Sequence, residues 1–476
     1  MESINEKRRI YGEHLTPIKI FKEFILPEIE DKIYDYIWVD FFAGGGNLIL
    51  PILELIPEKE RINFFENHIF LFDKQKKFVK KAIFNSMNYG IPKEIAEKNI
   101  IKRDTIKDYP KFLFDLGLPI YHITNPPYLY KGYIVKNKKT QKYLEYFKGI
   151  YKGYQDLYQL ALINDLNNGI KKMIYIIPSN FLFGYSVSNK IRDDFLKYYL
   201  IKKAYIFERN IFEYTGTNVV ICFFEKKDFT KNEPITFEGI KINNETKKRI
   251  YTLTPKNHYR AGNEFEEFVN NNQSLKPLKI DYYLTIEDVK KDNGNNEIEV
   301  IDANAYDGGK YKNIKIYVND DLFKKIKSNI LFVRTLDTGN IYGRVGLYKI
   351  RDAFGVDGIL VSKAKFRTHP IQIFIQPPLT YDEQTLLMNY FNTVLEYFRE
   401  QTDSEFMTTY KYSNSTYTRK YLGLSQVKKL IQTFPWLELN SDERIKFINL
   451  VKNKNAEKVI SFIEKKKEKR GLKLWC

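Results

Sequence analysis

Four consecutive residues, Asn125-Pro126-Pro127-Tyr128, follow the apolar run Ile120-Tyr121-His122-Ile123-Thr124 and carry the most chemistry per residue in this chain. Neither proline has a backbone N–H, so the segment is stiff where a strand leaves a sheet, and it is rich in acceptors. The Asn125 side-chain oxygen and the Pro126 carbonyl can both accept hydrogen bonds from one planar –NH2 group. The Tyr128 ring offers a stacking face for whatever carries that amine. Asn and Pro are also common turn residues, so an ordinary turn is the competing reading.

Other unusual residues fall at the ends of neighbouring strand patterns. Asp40-Phe41-Phe42-Ala43-Gly44-Gly45-Gly46-Asn47 leads into a helical pattern from Leu48 to Ile56, and its glycines allow a sharp turn and close approach of a ligand. No Lys-Ser/Thr pair follows the glycines, which disfavours a phosphate-cradling Walker loop, and the preceding acid favours a cationic ligand end. Phe72-Asp73 closes the next strand pattern with a carboxylate suited to a pair of ribose hydroxyls or to capping a helix. Arg103-Asp104-Thr105 supplies a third acid, suited to an exocyclic amine.

Strands and helices that alternate along the chain must position these residues. Strands are expected at 37–42, 69–72, 120–124, 172–177, 203–207 and 218–224, and helices at 76–85, 157–167 and 188–199. This is the signature of a parallel sheet covered on both faces, with ligands outside the carboxyl ends of its strands. From about Asn232 the strand pattern becomes irregular and turn signals crowd together, so a second domain is expected over 232–476. It contains a helix at 383–400 and the polar, aromatic stretch Tyr410 to Lys420, which suits either phosphates and base edges or an exposed loop.

The chain has 476 residues and a net charge of +18, which favours an anionic partner such as nucleic acid. The excess is spread along the chain: residues 1–230 carry 36 basic and 28 acidic side chains, a net of +8, and the remainder a net of +10. Leu129 to Gln155 is locally basic, with lysines at 131, 136, 138, 139, 142, 148 and 152 against the single acid Glu145. Val451 to Cys476 reads as a basic amphipathic helix with a frayed, solvated end. Cys222 and Cys476 alone cannot build a disulfide framework or a zinc cluster. No signal peptide and no run near the ~20 apolar residues of a membrane span is present, so a cytoplasmic protein without a membrane partner is expected.

Taken together, these motifs resemble the S-adenosylmethionine-dependent DNA adenine-N6 methyltransferases of the gamma motif order, found in restriction-modification systems. The likeness runs over about residues 10 to 228. It includes Gly12-Glu13-His14-Leu15-Thr16-Pro17 ahead of the first strand, Asp156-Leu157-Tyr158 opening a helix, Ile176 to Phe181 closing a strand, and Phe212 before Thr217-Asn218-Val219-Val220. It implies a doubly wound, mostly parallel, seven-stranded Rossmann-like α/β sheet in a catalytic domain over 1–231. A C-terminal mixed α+β domain, 232–476, would recognise the target.

It also implies roles. Thr16 and Pro17 would contact the methionine moiety of S-adenosylmethionine, and Asp40, Ala43, Gly44 and Gly46 would line its amino acid pocket. Asp73 would bind the ribose and Asp104 the adenine. Asn125 and Pro126 would hold the target amine, with Pro127 stiffening the turn, Tyr128 stacking on the flipped base and Phe212 packing beside it. No metal is implied. The family has fewer aromatics where Phe41-Phe42 stand.

The implied partner is double-stranded DNA. A fused N-terminal nuclease is not expected ahead of Gly12, so a cognate restriction endonuclease would be a separate protein. Three other readings remain open at this point: an RNA methyltransferase, a protein-glutamine methyltransferase using the same amine pocket, and a non-catalytic DNA-binding specificity protein.

Overall fold

The structure is a computed structural model that describes residues 16–209, 211–212, 218–337, 343–363, 369–403, 407–408 and 420–473. Gly12 to Leu15, Thr217 and the stretch Tyr410 to Arg419 therefore lie outside the described residues. The chain divides into two compact units between Ala261 and Gly262.

The first unit is built on a mixed sheet. Its strands are β1 (Ile37–Asp40), β2 (Ile69–Asp73), β3 (Ile100–Lys102), β4 (Ile120–Thr124), β5 (Lys172–Pro178), β6 (Tyr199–Phe207), β7 (Val219–Lys226), β8 (Ile235–Ile242) and β9 (Thr246–Leu253). They lie in the order β3-β2-β1-β4-β5-β7-β6-β8-β9. Pairing is parallel from β3 through to β5, antiparallel on both sides of β7, parallel between β6 and β8, and antiparallel again between β8 and β9. Strands β1 and β4 are buried along their whole length, as central strands covered on both faces must be. Helices Lys76–Met87 and Leu157–Asn168 lie close to the expected bounds, the second ending at Gly169 in the left-handed conformation.

Several expectations are corrected. The sheet has nine strands among the described residues, where seven were expected. The extra pair, β8 and β9, starts beyond the expected boundary at 231, so the first compact unit continues to Ala261. In β8, Ile235, Phe237 and Gly239 are buried and alternate with the more exposed Thr236 and Glu238, before Ile240 and Ile242 are buried in turn, a broken pattern that reads as irregular beside the continuous apolar runs of the inner strands. After the glycines the chain forms a short 3₁₀ helix, Leu50–Leu55, with Pro51 in its first turn, in place of a full helix over 48–56.

The second unit contains both helices and strands. One four-stranded sheet joins Lys279–Tyr282, Ile371–Gln376, Leu331–Arg334 and Gly346–Lys349, and another joins Leu284–Thr285, Gly358–Val361, Asn296–Asp307 and Lys310–Val318. Helix Tyr381–Tyr397 starts with a capping box in which Thr380 and Glu383 satisfy each other's backbone N–H. The basic C-terminal segment forms helix Ala456–Lys473, whose Val459 and Ile463 are buried in this unit's core. It is therefore a packed element at least to Ile463. No helix among the described residues is long and apolar enough to cross a membrane.

Candidate active site

The glycine turn begins where β1 ends. Asp40 is 1% exposed, and its Oδ1 accepts from the Thr124 hydroxyl at 2.6 Å and from the Phe42 N–H at 2.9 Å. Burial raises its pKa from 3.8 to about 6, against the opposing effects of those bonds and of nearby His122. Gly44 and Gly46 both have positive φ, and a Cβ on Gly46 would stand 2.5 Å from Leu50 Cδ1. Asp73, at the end of β2, braces the turn: its two oxygens accept from Gly44 N–H at 3.0 Å and from Gln75 N–H at 2.7 Å, where the next helix starts.

Beneath the turn lies a buried polar network. The Phe41 N–H points at His122 Nε2, 3.3 Å away, which makes Nε2 the acceptor and leaves Nδ1 to donate to Asp165 Oδ2 at 2.6 Å. Tyr175 and Tyr109 also donate their hydroxyls to the Asp165 carboxylate. His122 and Asp165 are both fully buried, so this acid is satisfied by three donors inside the core. A histidine within an apolar strand and an acid within an apolar helix were the sequence signal for this pair. Phe41 packs into the same core against Phe72, Tyr109 and His122, and both Phe41 and Phe42 line the larger cavity of the site.

The Asn-Pro-Pro-Tyr turn leaves the end of β4 beside these groups. Asn125 Nδ2 donates to Thr16 Oγ1 at 3.0 Å, and the Thr16 carbonyl accepts from Asn47 Nδ2 at 2.8 Å. Asn47 thus ties the N-terminal motif to the glycine turn, a link invisible in the sequence. The Tyr128 hydroxyl lies on the Ile176 carbonyl at 2.8 Å and on Asn125 Oδ1. Its ring is only 6% exposed, and burial pushes the phenol well above its usual range. The base-stacking role expected of Tyr128 therefore finds no open ring face here. Downstream, Asp156 Oδ1 accepts the Leu129 N–H at 2.8 Å and fixes the exit of the turn.

Asp104 stands at the far end of the site, beyond β3. Its Oδ2 accepts from the Tyr146 hydroxyl and pairs with Lys74 Nζ at 3.0 Å. Lys74 Nζ also donates to the Tyr146 hydroxyl and lies 5.5 Å from the Tyr143 ring centroid. Both tyrosines belong to the lysine-rich segment from Leu129 to Gln155. That segment has two faces: Lys136, Lys138, Lys139, Lys142, Lys148 and Lys152 are exposed, while Tyr146 is buried.

Two adjoining cavities result. The larger, about 800 Å3 out to its open mouth, is lined by Asp73, Asp104, Pro127 and Tyr146 among others. The smaller, about 270 Å3, is lined by Thr16, Asp40, Ala43 and their neighbours. Phe42, Gly44 and Asn125 line both. The structure thus brings together Thr16, Asp40, Ala43, Gly44, Asp73, Asp104, Asn125 and Pro127. Pro17, Gly46, Pro126, Tyr128 and Phe212 line neither cavity: Pro17 is exposed ahead of helix Ile18–Phe24, Gly46 meets Leu50 and Leu71, and Phe212 is buried.

Among solved structures, the chain is similar to a modification subunit of a putative type I restriction enzyme from Vibrio vulnificus YJ016, at 16% identity and a TM-score of 0.35 over 54% of this chain and 52% of that one. A type I restriction-modification methyltransferase subunit from Streptococcus thermophilus matches at 18% identity and 0.34, over 47% and 46%. The ATP-dependent Type ISP restriction-modification enzyme LlaBIII bound to DNA matches at 12% and 0.45, over 91% of this chain and 38% of that one. The chain therefore spans about half or less of the length of these proteins. No curated protein matches it. The family model described as N-6 DNA Methylase matches residues 2–320, about two thirds of the chain, and the protein belongs to that family.

Proposed function

We propose that the chain is a gamma-class, S-adenosylmethionine-dependent DNA methyltransferase that modifies N6 of adenine in double-stranded DNA. The observation that carries this reading is the position of Asn125, on the shared wall of the two cavities. An acid-lined small cavity fits an amino acid end and the larger one a nucleoside end, so the junction between them lies beside Asn125. The residues suit the cofactor: Asp40 and Thr16 for the ammonium end, Asp73 for the ribose, and Asp104 for the base. When bound, S-adenosylmethionine supplies a methyl group already activated on a sulfonium.

The chain's own work is then positioning and charge stabilisation. Asn125 Oδ1 has a second lone pair beyond the one facing Tyr128, and with the Pro126 carbonyl it can accept both hydrogens of an amine. Those bonds strengthen as positive charge grows on nitrogen, which is where they lower the barrier. Tyr128 serves this arrangement by holding the Asn125 oxygen in place. The base must leave the duplex to reach the site, at a cost of a few kcal/mol. Exposed lysines on 131–152 suit the flanking phosphates, and residues 232–476 are proposed to read the sequence. A restriction-modification setting, with any endonuclease as a separate protein, accords with this reading.

Modified-base sequencing of host DNA with the intact protein and with Asn125→Ala tests it. N6-methyladenine at a fixed motif with the intact chain alone is expected. Methylation that persists in the variant, or that appears only on RNA or protein, overturns it.

A further inference from the structure

The nucleoside end of the larger cavity ends on one side chain. Tyr146, together with Arg103 and Ile106, lines both that cavity and a second, larger and open groove that also includes Lys107, Lys111 and Lys148. Its ring is therefore part of the wall between them. It is 5% exposed, and its hydroxyl is held from two sides, donating to Asp104 Oδ2 and accepting from the Lys74 ammonium, while the Lys107 ammonium lies 5.2 Å from its centroid. Tyr143 stacks beside it with centroids 6.1 Å apart and planes at 21°.

The contacts to Asp104 are one-sided. Both Tyr146 and Lys74 address Oδ2, so Oδ1 is left to accept from a ligand in the cavity. An acid held this way prefers a donor such as an exocyclic amine to a carbonyl at the same position.

We propose that Tyr146 is the specificity wall of the nucleoside site: its hydroxyl orients Asp104 toward a base amine, and its ring closes the cavity behind that amine against the open groove. This rests on the cofactor reading above. A bulky group on the base amine has no space while the ring is present. Removing the ring joins cavity to groove and gives the group somewhere to go.

Titration calorimetry on the full chain, with S-adenosylhomocysteine and its N6-benzyl derivative as probes, tests this. Wild-type protein is expected to prefer the unsubstituted compound by about a hundredfold, and Tyr146→Ala to cut that preference at least about tenfold. Tyr146→Phe keeps the ring, so it should keep the preference while weakening S-adenosylhomocysteine by about 2- to 10-fold through the lost hydroxyl. Tyr146→Leu replaces the alanine variant if the latter melts early. An unchanged preference in both shortened variants overturns the wall while leaving the cofactor reading intact. Failure of the wild-type chain to bind S-adenosylhomocysteine overturns the cofactor reading as well.

Discussion

The two ends of the site are built in opposite ways. At the Asp40 end the acid is buried, and it hangs from β1 and β4, whose own backbone is braced by His122 and Asp165 in the core. At the Asp104 end the acid is 24% exposed, and it is held by Lys74 and a tyrosine on a short 3₁₀ helix, Gln141–Phe147. One end is fixed before any ligand arrives. The other is assembled from side chains on the surface of the fold and can adjust, so substitutions should be felt very differently at the two.

The largest effect is expected at the junction of the two ends. Asn125→Ala should lower kcat by about 10²–10³-fold, as for loss of one charge-stabilising group, with S-adenosylmethionine affinity nearly kept. Equal losses in both would mean that Asn125 belongs to the rigid end alone. Next comes the core under the Asp40 end. Asp165→Asn replaces one of the two acceptor oxygens shared by His122, Tyr109 and Tyr175 with an amide donor and should cost about 1–3 kcal/mol in urea unfolding. A cost near zero would remove the claim that this end is preorganised.

Proton linkage separates the ends further. Because the Asp40 pKa is raised to about 6, the folded chain keeps a proton there that the unfolded chain has already lost. Stability from this group therefore falls as pH rises from about 4 to about 6, then stays level. Affinity for a cationic ligand end moves the other way, rising as the carboxyl ionises, by about tenfold between pH 5 and pH 7. Asp40→Asn should abolish that rise, whereas Asp104→Asn should leave it. The smallest effect is expected from Glu145→Gln, which breaks the exposed pair with Lys107 and should leave melting temperature and ligand affinity unchanged within error.

The same contrast governs what could be read from sequence. The rigid end was legible almost residue by residue, because β1, β2, β4 and β5 are mostly apolar and the acids ending β1 and β2, the glycines after β1 and the turn after β4 stand out against them. Asp40, Asp73 and Asn125 line the cavities, as their types and places suggested. The adaptable end was not legible. Tyr146 reaches Asp104 through a segment with no regular period, and its lysines advertised only the outer face. Tyr128 was ambiguous for a related reason: a ring suited to stacking is equally suited to the core, and here it is buried with its hydroxyl on the Ile176 carbonyl.

The nine-stranded sheet also ends in two exposed-edge problems, which bear on handling the protein. Strand β3 limits its edge by having only three residues, while β9 has eight and begins Thr246-Lys247-Lys248-Arg249. Short length and positive charge both discourage a stray strand from adding to the ladder. Replacing those three cations with apolar residues would turn this edge into a seed for aggregation, with every residue that lines the two cavities untouched.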